Sequence, residues 1–251
     1  MPQWMALTGV LPALALMAIV DLADAKRPEP HWQVRKLALF GALAVGPVYL
    51  AQLWLADRVP LAGVLGALFD GFVSAALVEE GAKALVLWLG VWRHPAFDER
   101  LDGIVYATRA GLGFALVENV LALSHTDSTF GFVGTFVLRA FFAVPVHAIT
   151  AGFIGDLAAR RRFDGRGPGL LGGLAIAVCL HGLYDAALSL AQLPVFSPAT
   201  RVALALVPMA VVAAGFLVLR ARAATALLLD DADHLHGHRR EQHAEAGFVL
   251  R

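Results

Sequence analysis

Several ionisable side chains interrupt long apolar stretches of this sequence, where a charge is costly unless it is paired or wetted. Of the nine histidines, His147 and His181 are the two that lie within such stretches. The interrupting residues are Asp70, Glu79, Glu80, Lys83, Arg109, Glu118, Arg139, His147, His181 and Asp185. Two imidazoles accompanied by several carboxylates are the ingredients of a hydrolytic site, so this set is the candidate functional centre.

Helical spacing brings some of these residues together. Lys83 follows Glu79 by four residues and Glu80 by three, so its ammonium group can meet either carboxylate on one helical face. His181 and Asp185 are also four residues apart, which lets the aspartate orient the imidazole or share a ligand with it. These pairs predict two local clusters on two different helices.

The chemistry that this set could perform is the activation of water. Zinc binds histidine nitrogen and carboxylate oxygen, and a catalytic zinc site keeps one position for water. The ion lowers the pKa of that water, and a nearby glutamate acts as general base. Glutamate and histidine could also activate water directly, and the spacing does not separate these two options. The Glu79–Lys83 pair alone could be a structural clasp, but acids and histidines on four successive apolar segments favour a functional centre.

Membrane-spanning helices are the elements that must position these residues. Hydrophobic residues make up 59% of the 251 residues and charged residues 16%, whereas a soluble domain is about a quarter charged. Twenty Lys and Arg balance 20 Asp and Glu, so no net charge favours nucleic acid as a partner. The single cysteine, Cys179, excludes an intramolecular disulfide. The composition therefore predicts an all-α, polytopic membrane helix bundle.

Seven segments are apolar enough and long enough to span a bilayer, which takes about 20 residues. They are 4–20, 37–55, 70–92, 103–123, 130–157, 169–190 and 202–222. The apolar stretch 61–69 runs into the third of these without a polar break, so an eighth, re-entrant or interfacial segment is the alternative. At about 1.5 Å of rise per residue, Glu80 and His181 would both lie roughly 15 Å below the outer ends of their spans. We therefore expect the site in the outer half of the membrane.

The basic residues of the loops predict the orientation. Lys and Arg concentrate in 21–36, 93–102 and 158–168, and they are sparse in 56–60, 124–129 and 191–201. With seven spans all the basic loops fall on one side, which the positive-inside rule assigns to the cytoplasm. We expect the amino terminus outside and the carboxyl terminus in the cytoplasm.

The predicted domain organisation is simple. Residues 1–229 should form one membrane domain, and 230–251 a polar, His-rich cytoplasmic tail that is solvated and flexible. Metal gathering by the tail histidines is the other interpretation of that segment. The sequence carries no signal for an oligomeric state.

Short motifs between residues 70 and 190 resemble those of the PrsW family of intramembrane proteases. VEEGAK at 78–83 resembles that family's EExxK motif. FDERLDGIVY at 97–106 resembles the loop that leads into the next motif, and GFALVEN at 113–119 matches its GFAxxEN pattern. PVHA at 145–148 and HGLYD at 181–185 match its two later histidine motifs, in the same order.

The resemblance implies hydrolysis of a peptide bond within a membrane. The family is related to the CAAX-processing and bacteriocin-protection proteases, and its members are usually treated as metalloproteases. Some of them cut anti-sigma factors in bacteria. For this chain the resemblance implies the bacterial inner membrane as location and a membrane-embedded or single-pass membrane protein as substrate.

The resemblance also implies roles for individual residues. Glu79 and Glu80 would supply the general base and its partner. Metal or water binding would fall to Glu118, His147 and His181, with zinc as the expected divalent ion. The remaining roles go to Asn119 as a candidate oxyanion donor, Asp185 as the group that orients His181, and Lys83 as a supporting charge. Arg139 lies outside these motifs, and its positive charge is expected to stabilise the bundle or neutralise the carboxylates.

Two other classes of function stay open at this point. A proton-coupled transporter or channel could relay protons along the same acids and histidines. Transporters often carry two related halves, and residues 4–92 and 103–222 show no such repeat. A non-catalytic scaffold or haem binder could use His147 and His181, but it would not require tandem glutamates. An intramembrane endopeptidase is the leading prediction.

Overall fold

A computed structural model describes the backbone of residues 3–249 and the side chains of residues 4–236. The described chain is helical throughout its ordered elements and contains no strand. A 3-10 segment, Gln3–Gly9, leads into the first of seven helices. The helices are α1 (Val10–Ala23), α2 (His31–Arg58), α3 (63–90), α4 (Arg100–Ser124), α5 (Thr129–Phe163), α6 (Gly169–Ala191) and α7 (Pro198–Val249).

Two of these helices contain a π-helical segment. Helix α3 consists of an α-helical part, Gly63–Phe69, a π-helical part, Asp70–Leu77, and a second α-helical part, Val78–Gly90. Helix α5 has its π-helical part at Arg139–Ala143, between Thr129–Leu138 and Val144–Phe163. In both helices the π-helical part ends a few residues before a candidate catalytic side chain.

The polytopic all-α prediction is confirmed. Six of the helices, all except α3, are long and apolar enough to cross a membrane. Helix α3 falls outside that set because its acidic and basic residues make it too polar by composition. The stretch 61–69 does not form a separate crossing, since Gly63–Phe69 continues directly into the rest of α3.

Helix α4 lies at the centre of the bundle. Every residue from Leu101 to Ala115 is buried, and the helix packs against α1, α2 and α5. Helix α6 then packs against α5, α7 and the π-helical part of α3. Close approach of α4 to α5 depends on Gly111, because a Cβ atom there would lie 2.6 Å from the backbone oxygen of His147.

The outward faces of the bundle are apolar. Leucines such as Leu43, Leu53 and Leu217 are exposed on α2 and α7, as expected for side chains that contact lipid. Interior positions carry small residues, which let helices in a membrane approach closely. Cys179, the single cysteine of the sequence, is exposed and free.

The end of the bundle that carries the basic loops is held by an ion-pair cluster. Arg100, at the start of α4, contacts Asp164 at 2.7 Å, Asp230 at 2.9 Å and Asp233 at 2.8 Å. Arg27, in the loop before α2, contacts Asp231 at 2.9 Å. The first residues of the expected flexible tail are therefore helical and paired. The later tail histidines, His238 and His243, lie outside the described side chains.

Candidate active site

Four helices bring the candidate residues into one cluster. Helix α3 contributes its tandem glutamates and a lysine, α4 a glutamate, α5 an arginine and a histidine, and α6 a histidine and an aspartate. The residues brought together are Glu79, Glu80, Lys83, Glu118, Arg139, His147, His181 and Asp185. Two candidates lie elsewhere, because Asp70 is exposed and Arg109 contacts Asp21 and the carbonyl of Met17.

Glu80 is the fully buried centre of this cluster. Its Oε1 atom accepts hydrogen bonds from Lys83 Nζ at 2.7 Å and from Thr150 Oγ1 at 3.1 Å. The same oxygen lies 2.7 Å from His181 Nδ1. Glu80 thus holds three side chains from α3, α5 and α6 in fixed positions.

Glu79 is also buried, and like Glu80 it keeps its Oε2 atom without a hydrogen bond among the described residues. Its Oε1 accepts a hydrogen bond from Gln52 of α2 at 3.1 Å. Its Oε2 lies 3.7 Å from Lys83 Nζ, 4.0 Å from His147 Nδ1 and 3.9 Å from His181 Nε2. A buried carboxylate oxygen without a partner is costly, so this geometry calls for a further group.

The free oxygen and the two imidazoles form a set of donors that fits a metal ion. Glu79, His147 and His181 each offer a ligand atom, and these atoms lie within 4.8 Å of one another. Two nitrogens and one carboxylate oxygen are a ligand set that zinc takes in catalytic sites. The sequence led us to expect Glu118 in this set, whereas the structure groups Glu79 with the histidines.

His147 is fixed from both sides. Lys83 Nζ lies 2.7 Å from its Nδ1, and Glu118 Oε2 lies 2.7 Å from its Nε2. A charged lysine can only donate, so Nδ1 is assigned as the acceptor and Nε2 donates to Glu118. His147 and His181 pack edge to face, with ring centroids 5.1 Å apart. Their planes are therefore set by contacts from α3, α4 and α6.

Asn119 is turned away from the candidate metal ligands. It is fully buried, and its Nδ2 donates to the backbone oxygen of Gly9 at 2.6 Å. Its Oδ1 accepts a hydrogen bond from Arg139 Nε, also at 2.6 Å. Both ends of its amide are therefore engaged, and Asn119 does not line the cavity that lies beside the cluster.

A cavity of about 270 Å³ opens beside this cluster. The polar side chains that line it, here called the polar wall, include Glu79, Glu118, Arg139, His181 and Asp185. Apolar side chains line the same cavity, and they include Ala122, Leu138, Ala143, Val146 and Leu188. Glu80 and Lys83 lie behind the polar wall rather than in it. The cavity thus offers charged groups and an apolar surface to the same ligand.

Three contributors were not found from the sequence. Gln52 and Thr150 bond the tandem glutamates, and the ring of Phe114 lies 4.7 Å from Lys83 Nζ, where it stabilises the cation. Gln52 is a polar residue in an apolar span, and that signal could have identified it. Thr150 and Phe114 are ordinary residues of membrane helices, and their roles depend on contacts between helices.

Comparison with known proteins gives a consistent result. A family model described as PrsW family intramembrane metalloprotease matches residues 29–219. A protein named protease PrsW from Geobacillus kaustophilus (strain HTA426) is 35% identical over 179 residues, which is 70% of this chain and 76% of that relative. The protease PrsW of Bacillus subtilis (strain 168) is 32% identical over 180 residues, covering 70% of this chain and 79% of the relative. No solved structure matches the chain.

Proposed function

Because the chain belongs to the PrsW family of intramembrane metalloproteases, and is itself an intramembrane protease, we propose that it cuts a single-pass membrane protein at the cavity beside Glu79. The observation that carries this proposal is the free Oε2 of Glu79, which is buried between His147 and His181 on the wall of that cavity. A regulator such as an anti-sigma factor is the substrate class that the family resemblance suggests.

The proposed resident cofactor is a divalent metal ion, with zinc as the first candidate. Glu79, His147 and His181 would hold it, because they supply the nitrogen and oxygen donors that zinc prefers. His147 Nδ1 would then bind the ion in place of its contact with Lys83. When bound, such an ion lowers the pKa of water and polarises a carbonyl group. Glu80, 2.7 Å from His181 Nδ1, fixes the ring, so that Nε2 is the nitrogen that would bind the ion. That nitrogen lies 3.9 Å from Glu79 Oε2 and 3.1 Å from Asp185, which could share the ligand.

Glu118 is the proposed general base. It lines the cavity, its side chain is 31% exposed, and its Oε2 lies 2.7 Å from His147 Nε2. In the proposed reaction the oxygen of one water forms a bond to the carbonyl carbon, and a proton of that water passes to Glu118. The C–N bond then breaks, and the nitrogen leaves with the proton that Glu118 had accepted. One water is consumed for each peptide bond cut.

Glu80 and Lys83 act as positioning residues in this proposal. They are almost fully buried behind the polar wall, 2.7 Å from each other. Lys83 also lies 2.7 Å from His147 Nδ1, so the ion pair holds the histidine. In the family-based expectation Glu79 and Glu80 supplied the base, but the access of Glu118 to the cavity favours Glu118 for that role.

The test is a map of new protein termini in cells that express the chain. Membrane proteins would be compared between cells with the wild type and cells with Glu79→Gln at equal expression. Asp70→Asn is the matched control, because it removes an exposed carboxylate from the same helix. We expect new termini with the wild type and with Asp70→Asn, and none with Glu79→Gln. Identical termini in all three samples would contradict the proposal.

Metal analysis of the purified protein separates the two mechanisms that the sequence left open. We expect about one equivalent of divalent metal in the wild type and a clear loss in Glu79→Gln. Full cleavage by a protein that carries no metal, and that is insensitive to chelators, would favour direct activation of water by glutamate and histidine instead.

A further inference from the structure

Arg139 is the charged group on the polar wall that the proposed reaction has not used. It lines the same cavity as Glu79, Glu118 and His147, and it carries the donors that a peptide carbonyl would need. We propose that Arg139 stabilises the oxyanion formed on the peptide carbonyl, and that Asn119 and the backbone of Gly9 position it. This inference rests on the proposed function.

The guanidinium group is anchored through one of its nitrogens. Arg139 Nε donates to Asn119 Oδ1 at 2.6 Å, and Asn119 Nδ2 in turn donates to the oxygen of Gly9 at 2.6 Å. Asn119 is fully buried, so this chain of bonds is shielded from solvent. A donor held in place before the reaction needs no reorganisation when charge develops, which is the physical basis of an oxyanion hole.

The other end of the guanidinium group keeps unused donor capacity. Nη2 of Arg139 is buried and lies 3.0 Å from Glu118 Oε2, yet the angle does not make a hydrogen bond. It has no other acceptor among the described residues. A buried N–H group without an acceptor is costly. The Arg139 side chain is 18% exposed and lines the cavity, so a carbonyl oxygen bound there can accept a hydrogen bond from the guanidinium group.

Other donors near the site are already engaged. Lys83 Nζ is held by Glu80 and His147 at 2.7 Å each and lies behind the wall. The amide of Asn119, which the sequence suggested as an oxyanion donor, bonds Gly9 instead. Tyr184 lines the cavity with a neutral hydroxyl and is the competing donor that an experiment must separate from Arg139.

Charge balance also favours Arg139. In the resting site its positive charge faces the carboxylate of Glu118. When Glu118 takes a proton from water it becomes neutral, and the electron pair of the carbonyl π bond moves onto the carbonyl oxygen. The negative charge therefore moves from Glu118 to the substrate while Arg139 stays beside both. The pair returns to form the carbonyl again when the C–N bond breaks.

The π-helical part of α5 explains how Arg139 reaches this wall. Arg139 is its first residue, and His147 follows in the next α-helical part. A wider turn changes the angle around the helix axis between the residues before it and those after it. Such turns are frequent at functional sites. Arg139 and His147 are eight residues apart, which is about 80° around a regular α-helix, and the wider turn between them reduces that angle. Both side chains line the cavity.

The experiment measures kcat and KM in proteoliposomes, with the membrane protein that the terminus map identifies as the wild-type substrate. Arg139→Gln should lower kcat by about 100- to 1,000-fold, as removal of one oxyanion donor does. Arg139→Lys keeps a positive charge opposite Glu118 but lacks the planar fork, so kcat should still fall by at least about tenfold. KM should change by less than about threefold in both, since the contact is made in the transition state.

Several outcomes would overturn the inference while leaving the proposed function intact. If Arg139→Lys kept the wild-type kcat, Arg139 would only neutralise the charge of Glu118 and would not stabilise an oxyanion. A raised KM with an unchanged kcat would make it a docking residue. A full kcat loss in Tyr184→Phe, with active Arg139 variants, would assign the oxyanion to Tyr184. Failure of the proposed function is recognised separately, because Glu79→Gln would then cleave as the wild type does.

Chemical rescue guards against a variant that is merely misfolded. Methylguanidinium added to Arg139→Ala should restore a measurable part of kcat, whereas methylammonium at the same concentration should not. Rescue by both cations to the same extent would contradict a role that depends on the guanidinium donors.

Discussion

Glu79 and Glu80 are neighbours in sequence, yet their surroundings differ. Glu80 is fully buried away from the cavity and bonds Lys83 and Thr150 through one oxygen, whereas Glu79 lines the cavity. Each glutamate keeps its Oε2 atom without a hydrogen bond among the described residues, but only that of Glu79 belongs to the group of possible metal ligands. Adjacent helical positions are about 100° apart around the axis, so they face different neighbours. The first glutamate is therefore placed to act on a ligand, and the second to hold the site together.

Substitution of Glu80 should cost stability, because it leaves Lys83 as a buried charge without its closest partner. Removing one member of a buried pair typically costs about 3 to 5 kcal/mol. We expect Glu80→Gln to lower the free energy of unfolding by an amount of that order, measured by thermal or denaturant unfolding in detergent. The double variant Glu80→Gln/Lys83→Met should recover much of the stability but no proteolysis. Stability equal to the wild type in Glu80→Gln would contradict the positioning role.

A second prediction at the residue scale concerns Asp24, at the end of α1 and outside the spans. It is buried and accepts a hydrogen bond from the backbone N–H of Glu29 at 2.9 Å. Burial raises the pKa of Asp24 from 3.8 to about 6. The folded state thus holds this proton more tightly, so the stabilising contribution is full below the unfolded pKa and is lost as pH rises through about 6.

Asp24→Asn keeps the acceptor oxygen and removes the charge. The variant should be more stable than the wild type at pH 8, and the difference should shrink as the pH falls through about 6 towards 3.8. Thermal unfolding of both proteins across this pH range is the measurement. A stability difference that grows as the pH falls would have the opposite sign and would contradict the assignment.

Pairs within one helix could be predicted from the sequence, and pairs between helices could not. The spacing predicted the contact of Lys83 with Glu80, which is 2.7 Å, and of His181 with Asp185, which is 3.1 Å. The contact of Asn119 with Gly9 joins residues that are 110 apart in sequence. It depends on how α4 packs against the segment before α1, and no local pattern encodes that.

At the scale of elements, the two π-helical parts are the features that periodicity could not reveal. They occupy Asp70–Leu77 and Arg139–Ala143, just before the tandem glutamates and before His147. A regular 3.6-residue period would assign different faces to the residues on either side of each part. The grouping of Glu118 with the histidines came from the family resemblance, not from this period.

The packing of α4 against α5 provides a prediction for that element. A Cβ atom at Gly111 would lie 2.6 Å from the backbone oxygen of His147 and 2.7 Å from the Cβ of Ala151. Gly111→Ala should therefore push the helices apart, lower stability by about 1 to 3 kcal/mol and reduce proteolysis by moving His147.

Gly81→Ala is the matched control, because it lies between Glu80 and Lys83 and its Cβ would meet nothing within 4 Å. An alanine at this helical position should be neutral or slightly stabilising, by up to about 1 kcal/mol. Unfolding and cleavage are measured for both variants. Equal losses in the two would mean that backbone approach at Gly111 is not what positions His147.

At the scale of the molecule, hydropathy was enough to predict the fold class but not every boundary. The all-α bundle is confirmed. The predicted span at 70–92 corresponds to α3, whose charged residues Glu79, Glu80 and Lys83 lie in the candidate site and do not contact lipid. The polar segment after 229 begins as a continuation of α7, with Asp230 buried against Arg100. The composition predicted a solvated tail there because the segment is polar. Composition alone does not show that Arg100, which pairs with Asp230, lies on another helix.

The orientation of the bundle remains a prediction, and it determines from which side a substrate is cut. The helix order places the loop at 124–129 and the loop at 158–168 on opposite sides of the membrane if α5 spans it. The second loop carries Arg160, Arg161, Arg162 and Arg166. Loops rich in Lys and Arg usually stay on the cytoplasmic side of a membrane, so we expect this loop in the cytoplasm.

Cysteine labelling in intact cells tests this orientation directly. In a Cys179→Ala background, Asp127→Cys and Arg166→Cys each introduce a thiol at an exposed loop position. A membrane-impermeant maleimide should label position 127 in intact cells and position 166 only after permeabilisation. The cavity then lies nearer the outer surface, because Ala122, Thr135 and Leu188 of its lining are close to the ends of α4, α5 and α6 on the 124–129 side. The reverse labelling pattern would place the same cavity towards the cytoplasm, and a substrate would then have to be cut near its cytoplasmic end.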